Sequence, residues 1–407
     1  MSTTTTQTSR WASMVLIAGH AVNDVYQGAV PALVPFFVAE RHYDYVAISG
    51  LTLAATVLSS IAQPAFGALT DRRSLPWLVP AGMALAGLGI AAAGLVDNYG
   101  FTWVVVALSG LGVAAYHPES ARLARAATAG SHVGMSWFSL GGNVGFAAGP
   151  MLVTAVLGVT GLFGTPLLAV PAVIGCLVTA ALLRRVLAPA TDTARAASGR
   201  SDNWRAFGLL SVAVVCRSVL MFGLSTFLAL FVQHRLHAGT VVGEAALVVL
   251  SAFGAVGTLL GGRLADRYGR VRTVRLAHLV TVVALAGLVL MPGPAVFVVV
   301  AAVGLVGSVP FSLHVTLGQD YLATRVGTAS GVTLGLAVSV GGLVAPLLGL
   351  LAEATSLPVT LSALLVAPVV ASLAVRRLPE PEGAVRPVVA PSPTLGFTGT
   401  RSGRAPL

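Results

Sequence analysis

Apolar residues occur along the chain in long runs that are separated by short polar segments. Runs of about 20 residues predict transmembrane α-helices, because each can cross a hydrocarbon core about 30 Å thick. A β-barrel would show shorter, alternating segments instead. The twelve runs lie near residues 11–38, 45–69, 76–96, 101–124, 132–158, 162–187, 205–232, 240–262, 272–292, 294–319, 327–352 and 357–375.

The composition excludes most other classes of protein. The chain has 407 residues, of which 56% are hydrophobic and 9% charged, whereas soluble domains carry about 25% charged residues. A soluble fold, a coiled coil and a disordered chain are therefore excluded. All 24 basic residues are arginine, so neither a lysine-containing phosphate loop nor a lysine Schiff base is possible.

The polar segments divide the chain into two halves. Residues 188–203 form a polar linker, which predicts an N-terminal six-helix bundle over 1–187 and a C-terminal one over 204–377. Residues 378–407 are rich in proline, and we predict a disordered cytoplasmic tail. His20 and Asp24 lie within the first run, which favours a retained helix over a cleaved signal peptide.

Arginine placement predicts the orientation. If the N-terminus is cytoplasmic, 21 arginines fall on the cytoplasmic side, and only Arg41 and Arg235 fall on the other. The net charge of +10 therefore reflects membrane topology, and we expect no nucleic acid partner. The prediction is a multi-pass protein of a bacterial cell (inner) membrane, with both termini in the cytoplasm.

Two short patterns recur at nearly the same separation. Gly-x-x-x-Asp-Arg ends at Asp71-Arg72 and again at Asp266-Arg267, 195 residues later. The fifth run contains Gly145-x-x-x-Gly149-Pro150, and a related Gly-x-x-x-Ala-Pro starts 196 residues further on. Two matches at one offset indicate that a six-helix unit was duplicated, as in transporters with paired halves.

The same residues carry a family resemblance. Asp266-Arg267-Tyr-Gly-Arg270 resembles the loop motif of the major facilitator superfamily, and the pattern ending at Pro150 is similar to that of its drug:proton antiporters. Gly19-His20-Ala-Val-Asn23-Asp24 and Tyr116-His117-Pro118-Glu119 resemble the fosmidomycin-resistance efflux family. The resemblance implies twelve transmembrane helices in two pseudo-symmetric bundles, with alternating access.

The resemblance also implies site roles. In that family, the residues of the two Gly-x-x-x-Asp-Arg loops are expected to form a latch that holds the halves together in the outward-facing state. Surface charge that enforces the membrane topology would also explain the arginines. The gating residues that we predict are Asp71, Arg72, Arg122, Asp266, Arg267 and Arg270. Gly141, Gly145 and Gly149 with Pro150 would allow close helix packing.

Ionisable residues inside a run need a reason, because charge at a helix centre costs roughly 2.5–3.5 kcal/mol. In the first run His20, Asn23, Asp24 and Gln27 share one helical face. Asp24 is the predicted proton carrier, with His20 as a relay or substrate ligand. The alternatives are a carboxylate locked in an ion pair and a packing histidine.

The fourth run offers two roles for its carboxylate. Glu119 shares a stripe with Arg122, three residues on, and would either form a structural clamp with it or gate proton release. His117 points about 200° away from Glu119 and would face the cavity instead. Asn143, in a polar stripe of the fifth run, is either a cavity residue or part of ordinary interhelical hydrogen bonding.

Arg217 is the distinctive residue of the second half. It lies about 12 residues into the seventh run, and because arginine stays charged it needs an anionic partner. That partner is either Asp24 from the facing half or an anionic substrate such as a phosphonate or carboxylate. His314 is predicted to line the inner cavity, with packing as the alternative.

These observations predict a secondary transporter that exports a small molecule, an antibiotic or metabolite, by proton antiport. A proton-coupled importer of an organic anion is the alternative on the same scaffold, and a membrane sensor or enzyme is a different class that the paired loops disfavour. We expect no cofactor and no metal. The expected partners are the substrate, protons and the lipid bilayer, and the expected state is a monomer.

Overall fold

A computed structural model describes residues 2–43, 45–186 and 201–381, all helical or connecting. Most of the predicted linker (187–200 of the chain) and of the predicted tail (382–407) lies outside these residues. The first half has six helical crossings, and a 3₁₀ segment, Gly161–Ala169, precedes the sixth. Its helices are α1 (Ser2–Arg41), α2 (Tyr45–Arg72), α3 (Leu78–Ala92), α4 (Tyr99–Ala127), α5 (His132–Thr160) and α6 (Val170–Val186).

The second half repeats this arrangement with two broken crossings. Pro310 splits the tenth crossing into α10 and α11, and the twelfth consists of α13 and α14. A proline interrupts the helical ladder because it has no N–H to donate. The helices are α7 (Trp204–Leu236), α8 (Thr240–Tyr268), α9 (Arg270–Leu290), α10 (Val296–Ser308), α11 (Pro310–Tyr321), α12 (Val326–Ala354), α13 (Leu357–Ala363) and α14 (Val366–Val375).

The outside of the helices is apolar, as a lipid environment requires. In the described part of the chain, nine helical segments are long and apolar enough to span a membrane. The longest, His132–Leu182, turns at Gly161, whose φ is +62°, and so supplies two crossings. Large side chains such as Val159 and Leu290 are exposed. The prediction of a polytopic all-α membrane protein is confirmed.

Glycines bring α1 and α5 into backbone contact. A methyl group on Gly141, Gly145 or Gly149 would collide with the backbone of α1 at successive turns. The α1 residues met are Ile17, Ala21 and Val25. Close approach of this kind is how small residues hold membrane helices together, and it sets the depth of α1 against α5.

The two halves touch near one end of the molecule, where most of the arginines lie. This end, which we call the arginine-rich end, contains the end of α2, the start of α5, the end of α8 and the start of α12. Asn143, the twelfth residue of α5, donates a 3.5 Å hydrogen bond to Thr258 of α8. In the described residues, the hydrogen bonds that join the halves lie between this level and the arginine-rich end.

Candidate functional site

A buried carboxylate lies between two imidazoles in the first half. Asp24 Oδ2 is 3.3 Å from His20 Nε2 on α1, and Asp24 Oδ1 is 3.2 Å from His117 Nε2 on α4. Asn23 Nδ2 donates to Oδ1 over 3.1 Å. Asp24 is only 7% exposed. We call His20, Asp24 and His117 the acidic cluster.

The other ring nitrogens of the acidic cluster are already committed. His20 Nδ1 is 2.8 Å from the carbonyl oxygen of Phe138, and His117 Nδ1 is 2.8 Å from that of Val113. A carbonyl oxygen can only accept, so each Nδ1 carries a hydrogen. In a neutral imidazole of this tautomer, Nε2 has no hydrogen. A hydrogen bond between Nε2 and an oxygen of Asp24 therefore needs one additional proton, on either the nitrogen or the oxygen. The cluster therefore has two positions for mobile protons.

Small and aromatic neighbours shape the space around the acidic cluster. The His20 ring stacks on Phe138 with centroids 4.2 Å apart and meets His117 edge-on at 5.2 Å. A methyl group on Gly142 would lie 2.7 Å from both Asp24 Oδ2 and His20 Nε2. Glycine at this position is therefore what leaves room beside the carboxylate.

The acidic cluster has the spacing of a possible metal site. The ligand atoms of its three side chains lie within 4.8 Å of one another, and imidazole and carboxylate are ligands that Zn²⁺ accepts. However, each oxygen of Asp24 faces a different imidazole nitrogen. That pairing is the one expected when hydrogens bridge the two contacts.

Glu119 points away from the acidic cluster, as its spacing from His117 requires. It is fully buried, and its two oxygens accept hydrogen bonds of 2.9 and 2.5 Å from Arg122. Arg122 also donates to Ser74 Oγ at 2.6 Å. These contacts correspond to the structural clamp. All lie within the first half, so Arg122 does not join the halves in this structure, contrary to the predicted gating contact.

Arg217 does not pair with Asp24. None of the ion pairs in the described part of the chain includes Arg217. Its Nε donates to the Gly307 carbonyl oxygen over 3.0 Å, and its guanidinium carbon lies 4.5 Å from the centroid of the Phe311 ring. The expectation of an Asp24 partner is thus wrong for this structure, because α1 packs within its own half.

His314 also differs in position from the expected cavity residue. Its ring stacks on His278 of α9, with centroids 5.7 Å apart. The face of α11 that meets the first half carries Ser312, whose hydroxyl lies 2.9 Å from that of Ser136. Two residues along a helix point about 200° apart, so His314 faces the interior of the second half. His278 was not singled out in the sequence, although it is the histidine of the ninth run and lies one turn beyond Arg275.

The remaining predicted cavity residues lie near the acidic cluster. Gln27 is partly exposed, one turn beyond Asp24 on α1. Asn143 is also partly exposed, follows Gly142 on α5 and reaches Thr258 of the other half. The acidic cluster therefore lies one residue along α5 from a hydrogen bond that joins the halves.

At the arginine-rich end, Asp71 connects α2 to the first turn of α12. It accepts hydrogen bonds from the backbone N–H groups of Gly327 and Thr328, at 2.6 and 2.8 Å, and from the Thr328 hydroxyl. The first N–H groups of a helix lack intrahelical partners, and a carboxylate is favoured there by the helix dipole. Asp266 makes the second contact, 2.7 Å from His132 Nδ1.

Another ionic contact between the halves involves residues that the sequence did not mark as gating. Arg125 on α4 donates to Asp320 on α11, to Gln319 Oε1 at 3.0 Å and to the Thr316 carbonyl oxygen at 3.1 Å. Arg270 binds the other oxygen of Asp320. Arg125 and Asp320 are 195 residues apart, so they occupy equivalent positions of the internal repeat.

Among the residues that the structure describes, three predicted gating residues, Arg72, Arg267 and Arg270, make no hydrogen bond or ion pair with the other half. Arg270 contacts Asp320 and Glu380, both in the second half. Arg267 lies over the ring of Tyr268, its helical neighbour, at 5.3 Å. Arg72 is exposed beside Asp71. The ionic contacts between the halves at the arginine-rich end of the described chain are therefore those of Asp71, Asp266 and Arg125.

A polytopic protein with two six-crossing halves and buried charge between its helices is organised as a secondary transporter. The family model described as Major Facilitator Superfamily matches residues 16–346. The chain belongs to the Major Facilitator Superfamily. It is therefore a multi-pass membrane transporter of a small molecule and not an enzyme.

Two relatives agree with this assignment. The MFS-type transporter YfnC of Bacillus subtilis is 30% identical over 369 residues, covering 87% of this chain and 90% of that protein. The fosmidomycin resistance protein of Escherichia coli is 28% identical over 369 residues, covering 88% and 90%.

The solved structures share the fold at low sequence identity. The Escherichia coli fucose:proton symporter FucP has a TM-score of 0.71 at 13% identity, covering 89% of this chain and 97% of that one. The proton:xylose symporter XylE has a TM-score of 0.68 at 14% identity, covering 92% and 96%.

Proposed function

We propose that this protein exports a small molecule, an antibiotic or a metabolite, in exchange for protons. The observation that carries the proposal is the acidic cluster, in which the buried carboxylate of Asp24 faces one imidazole nitrogen with each oxygen. Because both Nδ1 atoms are committed to carbonyl oxygens, protons that enter the cluster must be held at Asp24. Protonation there changes the net charge of the passage, which is the requirement for coupling.

The location of the acidic cluster supports a role in alternating access. The cluster lies beside Gly142, and the next residue, Asn143, makes a hydrogen bond to Thr258 of the other half. A cluster at this level is at the floor of any passage that opens from the opposite end. Separation of Arg125 from Asp320 would then expose it from the arginine-rich end instead.

The orientation follows from the arginines. The positive-inside rule puts the arginine-rich end in the cytoplasm, so the contacts of Asp71, Arg125 and Asp266 close the cytoplasmic side. In a bacterial inner membrane the protein would then face outward in this state. Protons would enter down a gradient worth about 2.3 kcal/mol per charge per 100 mV.

Export, rather than import, is supported by the relative named for fosmidomycin resistance, since removal of a drug from the cell is a direct route to resistance. Arg217 lies partly exposed without a carboxylate partner in the described chain, which supports an anionic substrate. We propose that the protein works as a monomer.

The experiment is transport by the purified protein in proteoliposomes, with Asp24→Asn as the decisive variant. A susceptibility panel in a pump-deficient host identifies the substrate first. Asp24→Asn should lose transport driven by a pH gradient but retain substrate counterflow, which needs no net proton movement. Arg217→Ala should lose both. Unchanged pH-driven transport in Asp24→Asn would contradict the proposal, and uptake into cells down the proton gradient would identify an importer.

A further inference from the structure

The second half contains a group of positively polarised side chains that the sequence did not bring together. Arg217 on α7 lies over Phe311 of α11, and His314, one turn further along α11, stacks on His278 of α9. The ionisable residues of this group are Arg217, His278 and His314. We call these three residues the basic cluster.

The basic cluster has donors that protein groups do not use. His278 and His314 are 3% and 2% exposed, and the Nε2 atom of each is buried without a hydrogen-bond partner. Unsatisfied buried polar atoms are rare and each needs an explanation. A neutral imidazole can present an N–H at Nε2 by its choice of tautomer.

The contacts of Arg217 use its Nε atom and leave its two terminal nitrogens able to bind a ligand. Its Nε donates to Gly307, and Phe311 covers one face of the guanidinium. Phe311 and His314 are three residues apart on α11, so they lie about 60° from each other on one side of the helix. Arg217 and Phe311 are partly exposed while both imidazoles are buried, so a ligand would enter past the guanidinium.

We propose that the basic cluster is a binding site for a small oxyanion with three or more terminal oxygens, such as a phosphonate, phosphate or sulfate group. The guanidinium fork would bind two oxygens, and the two Nε2–H groups would bind the others. His278 is thereby assigned a ligand-binding role. The inference deepens the proposed function, on which it rests for the physiological ligand.

The oxyanion has two possible sources, which are a group carried by the transported substrate and a free inorganic ion. Both would use the same donors. Inorganic phosphate that competes with substrate during counterflow identifies a substrate subsite, whereas phosphate that binds without affecting counterflow identifies a separate ion site. Both results support an oxyanion at the basic cluster.

The test is direct binding of methylphosphonate and inorganic phosphate to the full-length protein in detergent, without any proton gradient. Phosphorus NMR and the thermal midpoint report binding, with potassium chloride at matched ionic strength as the reference. A specific ligand raises the midpoint in a saturable way. This readout is independent of coupling, so its failure and the failure of the proposed antiport are distinguishable.

Variants assign the binding to particular side chains. Arg217→Met should abolish saturable binding, and Arg217→Lys should weaken it because lysine has no fork. His278→Phe and His314→Phe, which keep a ring but remove the N–H, should each weaken binding about tenfold.

Arg235 provides a matched control. Its Nε donates to the Met291 carbonyl oxygen, and its guanidinium lies near the Phe231 ring, as Arg217 does with its own partners. Arg235→Met should leave the affinity unchanged. Absence of saturable binding in the unaltered protein, or equal loss in Arg235→Met and Arg217→Met, would overturn the proposal. NMR on the unaltered protein decides the question even if Arg217→Met does not fold.

Discussion

In the first half of the chain the buried carboxylate is enclosed by two imidazoles from its own half, whereas in the second half the buried guanidinium has a carbonyl oxygen and a phenyl ring as partners. The two places are related by the internal repeat. Arg217 lies 194 residues after Asn23, and His314 lies 195 residues after Glu119. Nearby positions of the duplicated scaffold therefore differ in chemistry, with the carboxylate of Asp24 in the first half and the guanidinium of Arg217 in the second.

The difference separates two tasks. The acidic cluster contains both the carboxylate of Asp24 and the imidazoles that contact it. The number of protons that the cluster holds can therefore change by one at a time while its geometry is kept. The basic cluster has donors in excess of the acceptors that the described residues provide, so it needs a charge from outside. We infer that the first half is specialised for protons and the second half for the anionic part of a ligand.

The largest expected effect is that each cluster controls a different property, proton-driven transport for the acidic cluster and anion affinity for the basic cluster. Asp24→Asn should lower pH-driven transport at least about 100-fold, because an amide holds no mobile proton, but change methylphosphonate affinity less than twofold. Arg217→Met should abolish that affinity. Proteoliposome transport and phosphorus NMR measure the two properties on the same preparations. If Asp24→Asn weakened methylphosphonate binding as strongly as it lowered transport, the acidic and basic clusters would act as a single site, contrary to this account.

The next effect concerns the latch and compares arginines one helical turn apart. Arg125 crosses to the second half, whereas Arg122 pairs with Glu119 in its own half. Arg125→Ala should shift the population towards opening at the arginine-rich end by about 10–100-fold, the equivalent of one or two charged hydrogen bonds. Arg122→Ala should shift it less than threefold.

The measurement is the alkylation rate of a cysteine introduced by Ser136→Cys, in a chain whose Cys176 and Cys216 are replaced by alanine. Ser136 is fully buried and contacts Ser312 across the halves. Faster labelling should follow Arg125→Ala alone. Equal acceleration by both arginine variants would mean that labelling reports general loosening and not the latch.

A third comparison tests the packing that supports each cluster. A methyl group on Gly145 would meet backbone atoms of Ala21, whereas one on Gly341, its repeat equivalent, would meet the Ser218 carbonyl oxygen and the Phe222 side chain. Gly145→Ala should destabilise the protein by about 1–3 kcal/mol and Gly341→Ala by less, since the nearest backbone oxygen would be 2.0 Å from the new methyl group at Gly145 and 2.5 Å from it at Gly341. Thermal midpoints in detergent measure both, and the reverse order would refute this account of the α1–α5 contact.

The smallest effect concerns the ring beneath Arg217. Phe311→Leu removes a cation–π contact worth about 0.5–1 kcal/mol and should weaken methylphosphonate binding roughly two- to fivefold. Phe231→Leu, which alters the same kind of contact beside Arg235, is the matched control. A loss greater than tenfold would mean that Phe311 positions the guanidinium and does not merely cover it.

Parts of the site were readable from spacing within one helix. His20 and Asp24 are four residues apart and Glu119 and Arg122 three apart, and both pairs are in contact. The contact between His117 and Asp24, by contrast, depends on how α4 packs against α1. Likewise, the proposed pairing of Asp24 with Arg217 was reasonable from charge alone, but the face of α1 that carries Asp24 is covered by α4 and α5.

The sequence by itself determined the membrane class, the crossings and the duplicated halves, because these depend on local hydropathy, on chain length and on recurring residues. Its boundaries were close even without coordinates, as in the seventh run, predicted at 205–232 and found at Trp204–Leu236. The tertiary structure decided which charges meet. Helix periodicity says which face a side chain occupies, but only the packing of one helix against another, here by glycine contacts of backbone on backbone, says what that face touches.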